Sequence, residues 1–165
     1  MTFDPDAFLN QTVDQPLAIE RTLVPEGEYQ FMVDDFDSSA FEVIEFEYRK
    51  GPKAGQPGSM TKYNIPCICM SEDVKKSLDM DKVVVYYQGL LDFNDDGTLA
   101  WGKNKNVDLG RLRHALKQNN EGQVWKPSML RGAGPFMGKV THRPFQRKDG
   151  TKTVIAEISR LAPIT

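Results

Sequence analysis

The chain has 165 residues, 39% hydrophobic and 27% charged, enough for one domain with a buried core. It has no run of about 18 apolar residues, which excludes a transmembrane helix. The formal net charge of −2 hides an asymmetry: residues 1–47 hold 12 acidic residues against Arg21 alone (net −11), and residues 101–165 hold 13 Lys/Arg against 4 acidic residues (net +9).

A basic half is the composition cue for polyanion binding. The competing reading is that the two halves neutralise each other across one surface. The opening MTFDPDAF has neither a basic n-region nor an apolar h-region, which argues against a signal peptide. The two cysteines, Cys67 and Cys69, are read as pointing to opposite faces of a strand, so no mutual disulfide is expected. A reduced, cytoplasmic setting follows as an expectation.

Residues 1–24 read as an extended or lightly ordered arm, interrupted by Pro5 and Pro16. Phe3, Phe8 and Leu9 are spaced for a helical turn or for anchoring on a neighbour; the arm could dock on its own barrel or on another subunit, which makes it a candidate for homo-oligomer contact. Residues 25–165 read as one domain. Pro25-Glu26-Gly27 turns into a strand over Glu28–Asp34, with Tyr29, Phe31 and Val33 alternating. An acidic turn, 35–39, leads to a strand over Phe41–Arg49. There the pair Phe41/Val43 and the pair Phe46/Tyr48 are out of phase, which predicts a β-bulge near Ile44-Glu45.

The glycine- and proline-rich segment 50–59 is a long turn before a third strand, Met60 to about Cys69, where Pro66 marks a bulge or an edge. Ser71 is a fair N-cap for a short helix with acids in its first turn. Val83–Leu91 is strongly strand-like, and Asn94–Gly97 turns it back through Thr98–Trp101 as an added hairpin. Val107–Lys117 is the best helix, with Leu109, Leu112, Ala115 and Leu116 on one face. Arg111, Arg113, His114 and Lys117 lie off that face and read as a solvated surface.

The segment 132–163 organises the rest. Phe136, Gly138, Val140 and His142 share one face of an extended run, with Met137, Lys139, Thr141 and Arg143 on the other. Val154, Ala156 and Ile158 alternate in a second run, and Asp149-Gly150 between them signals a β-hairpin. Its tip carries Arg147, Lys148 and Lys152 beside Phe145, which suits a nucleic-acid backbone and bases and equally an ordinary soluble tip. The resulting order is three strands, an inserted hairpin, a helix and two strands. That predicts a mainly β protein: an OB-fold-like five-stranded barrel with an extra hairpin and one to two short helices between strands 3 and 4.

Several chemistries fail on spacing. Asp92–Gly97 matches the first half of an EF-hand loop, but Lys103 stands where the bidentate acid belongs. Cys67-x-Cys69 lacks zinc spacing, and Gly51, Gly55 and Gly58 lack the Gly-Lys-Ser/Thr ending of a phosphate loop. No catalytic constellation stands out, so a non-enzymatic protein without cofactor or metal is expected.

The pattern from Pro25-Glu-Gly-Glu-Tyr, through GKNKNVDLGRLRHALKQN and Leu130-Arg-Gly-Ala-Gly-Pro, to the closing hairpin resembles a family of small bacteriophage proteins. Those are described as single-stranded-DNA-binding or uncharacterised replication-associated proteins with an OB-like barrel. The resemblance implies phage DNA replication or recombination in the host cytoplasm, with replication or recombination proteins as candidate partners. Many single-stranded-DNA-binding proteins end in an acidic tail; this chain ends SRLAPIT and carries its acids at the other end.

On that reading the candidate phosphate contacts are Lys50, Lys53, Lys62, Lys103, Lys105, Arg143, Arg147, Lys148 and Lys152. The candidate stacking residues are Tyr63, Tyr86, Trp101, Trp125 and Phe145, each with core packing as its competing role. Trp125 and Phe136, flanked by turn residues, are expected in the core. In an OB-fold, ligands lie across strands two and three, which favours Lys62, Tyr63, Phe145, Arg147 and Lys148 over Arg111 and Arg113. The alternative function is a protein-interaction or virion-assembly module that uses the acidic N-terminal segment and binds no nucleic acid.

Overall fold

The computed structural model describes residues 2–165. It is mainly β, with six strands in one mixed sheet and a few short helices. The strands are β1 (Gly27–Val33), β2 (Phe41–Glu47), β3 (Pro57–Cys69), β4 (Val84–Leu91), β5 (Phe136–Gln146) and β6 (Lys152–Pro163). The helices are α1 (Pro5–Leu9), α2 (Glu72–Leu78) and α3 (Val107–Ala115). The sheet order is β1-β5-β6-β4-β3-β2, and β1 also pairs with β3. No helix among the described residues is long and apolar enough to cross a membrane.

The sheet is organised by β3. Its alternate residues Tyr63, Ile65, Cys67 and Cys69 are all buried, while Lys62, Asn64, Pro66 and Ile68 are half-covered on the other side. Two strands lie end to end along one of its edges: β1 through Val33↔Cys67 and Phe31↔Cys69, and β2 from Phe41↔Tyr63 to Glu47↔Pro57. Between them residues 34–40 leave the edge. Pro66, which has no N–H to donate, sits in this gap, and its carbonyl accepts from Asp34 N at 2.9 Å.

Three sequence expectations change here. Residues two apart on a strand share a face, so Cys67 and Cys69 do not diverge; both point inward as buried free thiols. The bulge expected at Ile44-Glu45 is absent, because the β2–β3 register runs unbroken; only the covered side changes, from Phe41 to Ile44 and Phe46. The Val83–Trp101 hairpin is not an addition. β4 is a full member of the sheet, paired with β3 from Thr61↔Leu91 to Ile68↔Val84 and with β6 through one parallel bridge, Tyr86↔Glu157. The return after it is a single bridge, Phe93↔Leu99.

The closing hairpin forms where its alternation predicts, with β5 and β6 paired from Phe136↔Pro163 to Gln146↔Lys152 around a register shift at Lys139/Val140. Phe136, Gly138, Val140 and Ile158 face inward. Phe136 stacks on Phe31 with ring centroids 5.8 Å apart. Gly138 allows that approach, since a Cβ there would lie 2.8 Å from the Phe31 ring.

Ser71 caps α2, its Oγ accepting from Val74 N at 3.3 Å. Helix α3 closes the core with Leu109, Leu112 and Ala115, followed by buried Leu116. Leu112 is fully buried, so its truncation to alanine would cost roughly 2–5 kcal/mol.

Candidate nucleic-acid interface

With Tyr63 and Tyr87 turned into the core, alternation puts the other parity of β3 and β4 on the outside. The register sets Lys62 beside Leu90, Asn64 beside Gln88 and Pro66 beside Tyr86. On the far side of β4, Tyr86 meets Glu157 of β6, which pairs with Thr141 of β5, and Arg143 follows. Arg143 Nε donates to Glu157 Oε2 at 2.9 Å and Nη2 to Gln88 Oε1 at 3.4 Å, so one guanidinium spans three strands. A guanidinium has five N–H groups, so others remain for a phosphate. Tyr86, 47% exposed, presents the aromatic ring of this face.

One end of the face is acidic. Asp35, Phe36, Asp37, Ser39, Asn64, Pro66 and Tyr86 line an open cleft of about 550 Å³. Hydrogen bonds from the Ser39 hydroxyl and backbone hold the Asp37 carboxyl below the usual carboxylate range, so the lip stays charged. Asp34 is likewise held low, chiefly by Lys82, whose Nζ lies 2.7 Å from Oδ2. Among the described residues one ion pair joins residues 1–47 to residues 101–165, Arg131 to Asp35 at 3.9 Å. Direct pairing therefore does little to neutralise the two halves.

The basic end is the β5–β6 tip. Asp149 folds it by accepting from Thr151 N at 2.9 Å and Thr151 Oγ1 at 2.6 Å. Those bonds, and Arg147 nearby, lower the Asp149 pKa. Arg147, Lys148 and Lys152 are all exposed around it.

The sequence-predicted residues separate into four groups. Lys62, Tyr86 and Arg143 share the outer face. Phe145, Arg147, Lys148 and Lys152 cluster at the hairpin end, with Phe145 on the Arg143 side of its strand. Lys50 and Lys53 lie on the β2–β3 loop, where Lys53 Nζ sits 5.6 Å from the Tyr48 ring centroid. Trp101, Lys103 and Lys105 are exposed on the β4–α3 loop, which leaves the same end of the sheet as the β2–β3 loop.

Tyr63 does not belong with them. It is 1% exposed, packs near Tyr87 and cannot stack on a base. Burial raises its phenol pKa, and its hydroxyl has no hydrogen-bond partner; the Tyr87 hydroxyl donates instead to Asp108 O at 2.9 Å.

Phe136 is in the core as expected. Trp125 is half-buried, with the Arg113 guanidinium carbon 4.2 Å from its ring centroid and Nε1 donating to Gln118 Oε1. Arg113 is thus no solvated charge: it also donates twice to Gln118 O, and burial lowers its pKa.

Asn64, Gln88 and Glu157 belong to the face and were not singled out from sequence. Their signal was the alternation within β3, β4 and β6, legible once those strands are in register. Asn64 Oδ1 is buried without a hydrogen-bond partner. Asn106 was missed too: instead of capping α3, its side chain accepts from Asp92 N at 2.8 Å and donates to Asp92 O and Ala100 O, pinning the β4–α3 loop.

Burial pushes the Cys67 thiol up to about 12 and raises Cys69, so neither is a ready thiolate. No three His, Cys, Asp or Glu side chains converge among the described residues. No protein-family model matches the chain, and neither a curated protein nor a solved structure is similar to it.

Proposed function

We propose that the protein binds single-stranded DNA, with little sequence preference and without catalysis, across the outer face of β3, β4, β6 and β5. The observation that carries this reading is the outer face shared by Tyr86, Gln88 and Arg143, with Lys62 further along β3, between the lysine-bearing β2–β3 loop and the cationic β5–β6 tip. An exposed aromatic ring with cationic side chains on either side is the minimal device for holding a strand by base faces and phosphates. Stacking supplies about 1–3 kcal/mol per base, and phosphate neutralisation makes affinity fall with salt. The acidic lip at Asp35 and Asp37 repels phosphate and favours a path toward the hairpin tip.

The same reading makes the sheet an OB-like barrel. In support, β1 bonds to both β3 and β5, so β1, β5, β6, β4 and β3 follow one another in a circuit, with β2 extending β1 along β3. With β1 and β2 counted as one strand, α3 falls in chain order between the third and fourth strands, β4 and β5, and the two cationic loops, β2–β3 and β5–β6, are the first and last inter-strand loops. A role in phage DNA replication or recombination, in the host cytoplasm, rests on the family resemblance.

The test is fluorescence anisotropy of labelled oligo-dT, with duplex as competitor, at about 50 and 200 mM salt. Saturable binding that weakens with salt and survives excess duplex is expected. Arg147→Glu with Lys148→Glu is expected to lower affinity, to reduce the salt slope by about 2 and to leave the thermal midpoint nearly unchanged. No binding to micromolar oligonucleotide at low salt would sink the reading. The acidic cleft and the uncovered N-terminal arm favour a second reading, a protein-interaction or assembly module, which that negative result would support.

A further inference from the structure

The packing beneath the β4–α3 loop leaves a chamber of about 250 Å³. Its floor is Tyr63 and Ile65 of β3, Leu109 of α3 and Leu130, each at most 6% exposed. Phe93, 48% exposed, and the exposed Pro127 mark its mouth. Every lining side chain presents carbon: Tyr63 contributes its ring, and its hydroxyl lies against Gly89.

The walls are held by bonds that do not depend on what fills the space. Pairing with β4 fixes Tyr63 and Ile65, and the Tyr87 hydroxyl, donating to Asp108 O, ties β4 to the start of α3. The Asn106 side chain clasps the loop that carries Phe93 and Leu99. Gln118 Nε2 donates to Met129 O at 2.9 Å and Gln118 Oε1 accepts from Trp125 Nε1, which fixes the 3-10 turn Pro127–Leu130. A chamber with such walls meets a ligand already shaped, which lowers the cost of binding.

Its chemistry selects the occupant. A buried water needs several polar partners, and none faces this space, so water is a poor filling. A nucleobase, a sugar or a peptide would leave its own polar groups unpaired there. A dry cavity of about 150 Å³ with walls of this kind holds benzene. The larger volume here takes one aromatic ring with a short alkyl branch, and the rings of Phe41, Tyr63 and Phe93 offer it edges and faces. We propose that this chamber is a binding site for a small apolar molecule of that class.

Ethylbenzene is the test ligand, and benzyl alcohol, nearly equal in size with one hydroxyl, is its polar counterpart. No nucleic acid is present, so the result stands apart from DNA binding. Ethylbenzene should raise the melting midpoint in proportion to its occupancy. Its ring protons should give nuclear Overhauser contacts to the methyl groups of Ile65, Leu109 and Leu130, and benzyl alcohol should bind at least ~10-fold more weakly. Leu99→Phe, and separately Leu109→Phe, place a ring in the space, and each should abolish the ethylbenzene shift without lowering the melting midpoint. The Overhauser contacts locate the ligand in the wild-type chain and need neither variant to fold. A wild-type chain with no shift and no such contacts overturns the proposal. So does benzyl alcohol binding as tightly as ethylbenzene, or a shift that persists in a folded filled variant.

Discussion

Gly89→Ala tests the burial of Tyr63, which removes that residue from the candidate interface. The two are cross-strand partners, and a Cβ at Gly89 would lie 2.2 Å from the Tyr63 hydroxyl oxygen, 2.4 Å from Cζ and 2.8 Å from Cε1. Replacing a strand glycine by alanine otherwise stabilises by about 0.4–1 kcal/mol through the unfolded chain. Here the clash outweighs that gain, because the ring is 1% exposed and cannot swing out. Overpacking of this kind costs roughly 1–3 kcal/mol. For a chain of this size each kcal/mol moves the melting midpoint by roughly 2–4 °C.

The assay is urea unfolding, read as a lower midpoint at unchanged m-value. A double-mutant cycle makes it specific. In a Tyr63→Leu background, which removes Cζ and the hydroxyl, the Gly89→Ala cost should fall below about 0.5 kcal/mol. Tyr63→Phe should relieve only part, since Cζ remains. Additive effects within about 0.5 kcal/mol in the leucine background would refute the packing reasoning.

On the outer face, Tyr86→Ala should weaken oligo-dT binding by about 1–3 kcal/mol, measured by anisotropy, with the unfolding midpoint nearly unchanged. Asn106→Ala leaves Asp92 N–H and Ala100 C=O without their side-chain partner and should cost roughly 1–3 kcal/mol in urea unfolding, with faster amide exchange across residues 92–106. Asp34 has a lowered pKa in the folded state, chiefly from Lys82, so its contribution is present above the unfolded value near 3.9 and lost as pH falls through the lower folded value. Asp34→Asn should therefore cost about 0.2–1 kcal/mol at pH 7, with the two stability curves converging in acid; curves that stay parallel to pH 2 would contradict that assignment.

Much of the local structure is legible in the sequence. The β5–β6 hairpin follows from two alternating runs around Asp149-Gly150, α2 from Ser71 and its acids, and α3 from the spacing of Leu109, Leu112 and Ala115. Each depends on contacts within a few residues. The role of β4 was missed because its partners, β3 and the distant β6, are chosen by pairing across the chain rather than by a nearby turn.

The candidate site divides along the same line. Charge and residue type, written in the sequence, mark Arg147, Lys148 and Lys152 as an exposed cationic tip, and no tertiary contact is needed to place them there. Alternation shows that Tyr63 and Tyr86 each belong to one parity of a strand. Which parity meets the core is decided only when β3 and β4 pair, because a shift of one residue would exchange the two faces. Tertiary structure therefore put Tyr63 inside and Tyr86 outside, brought Asn64, Gln88 and Glu157 to the same surface, and made the Asn106 side chain the clasp of a loop.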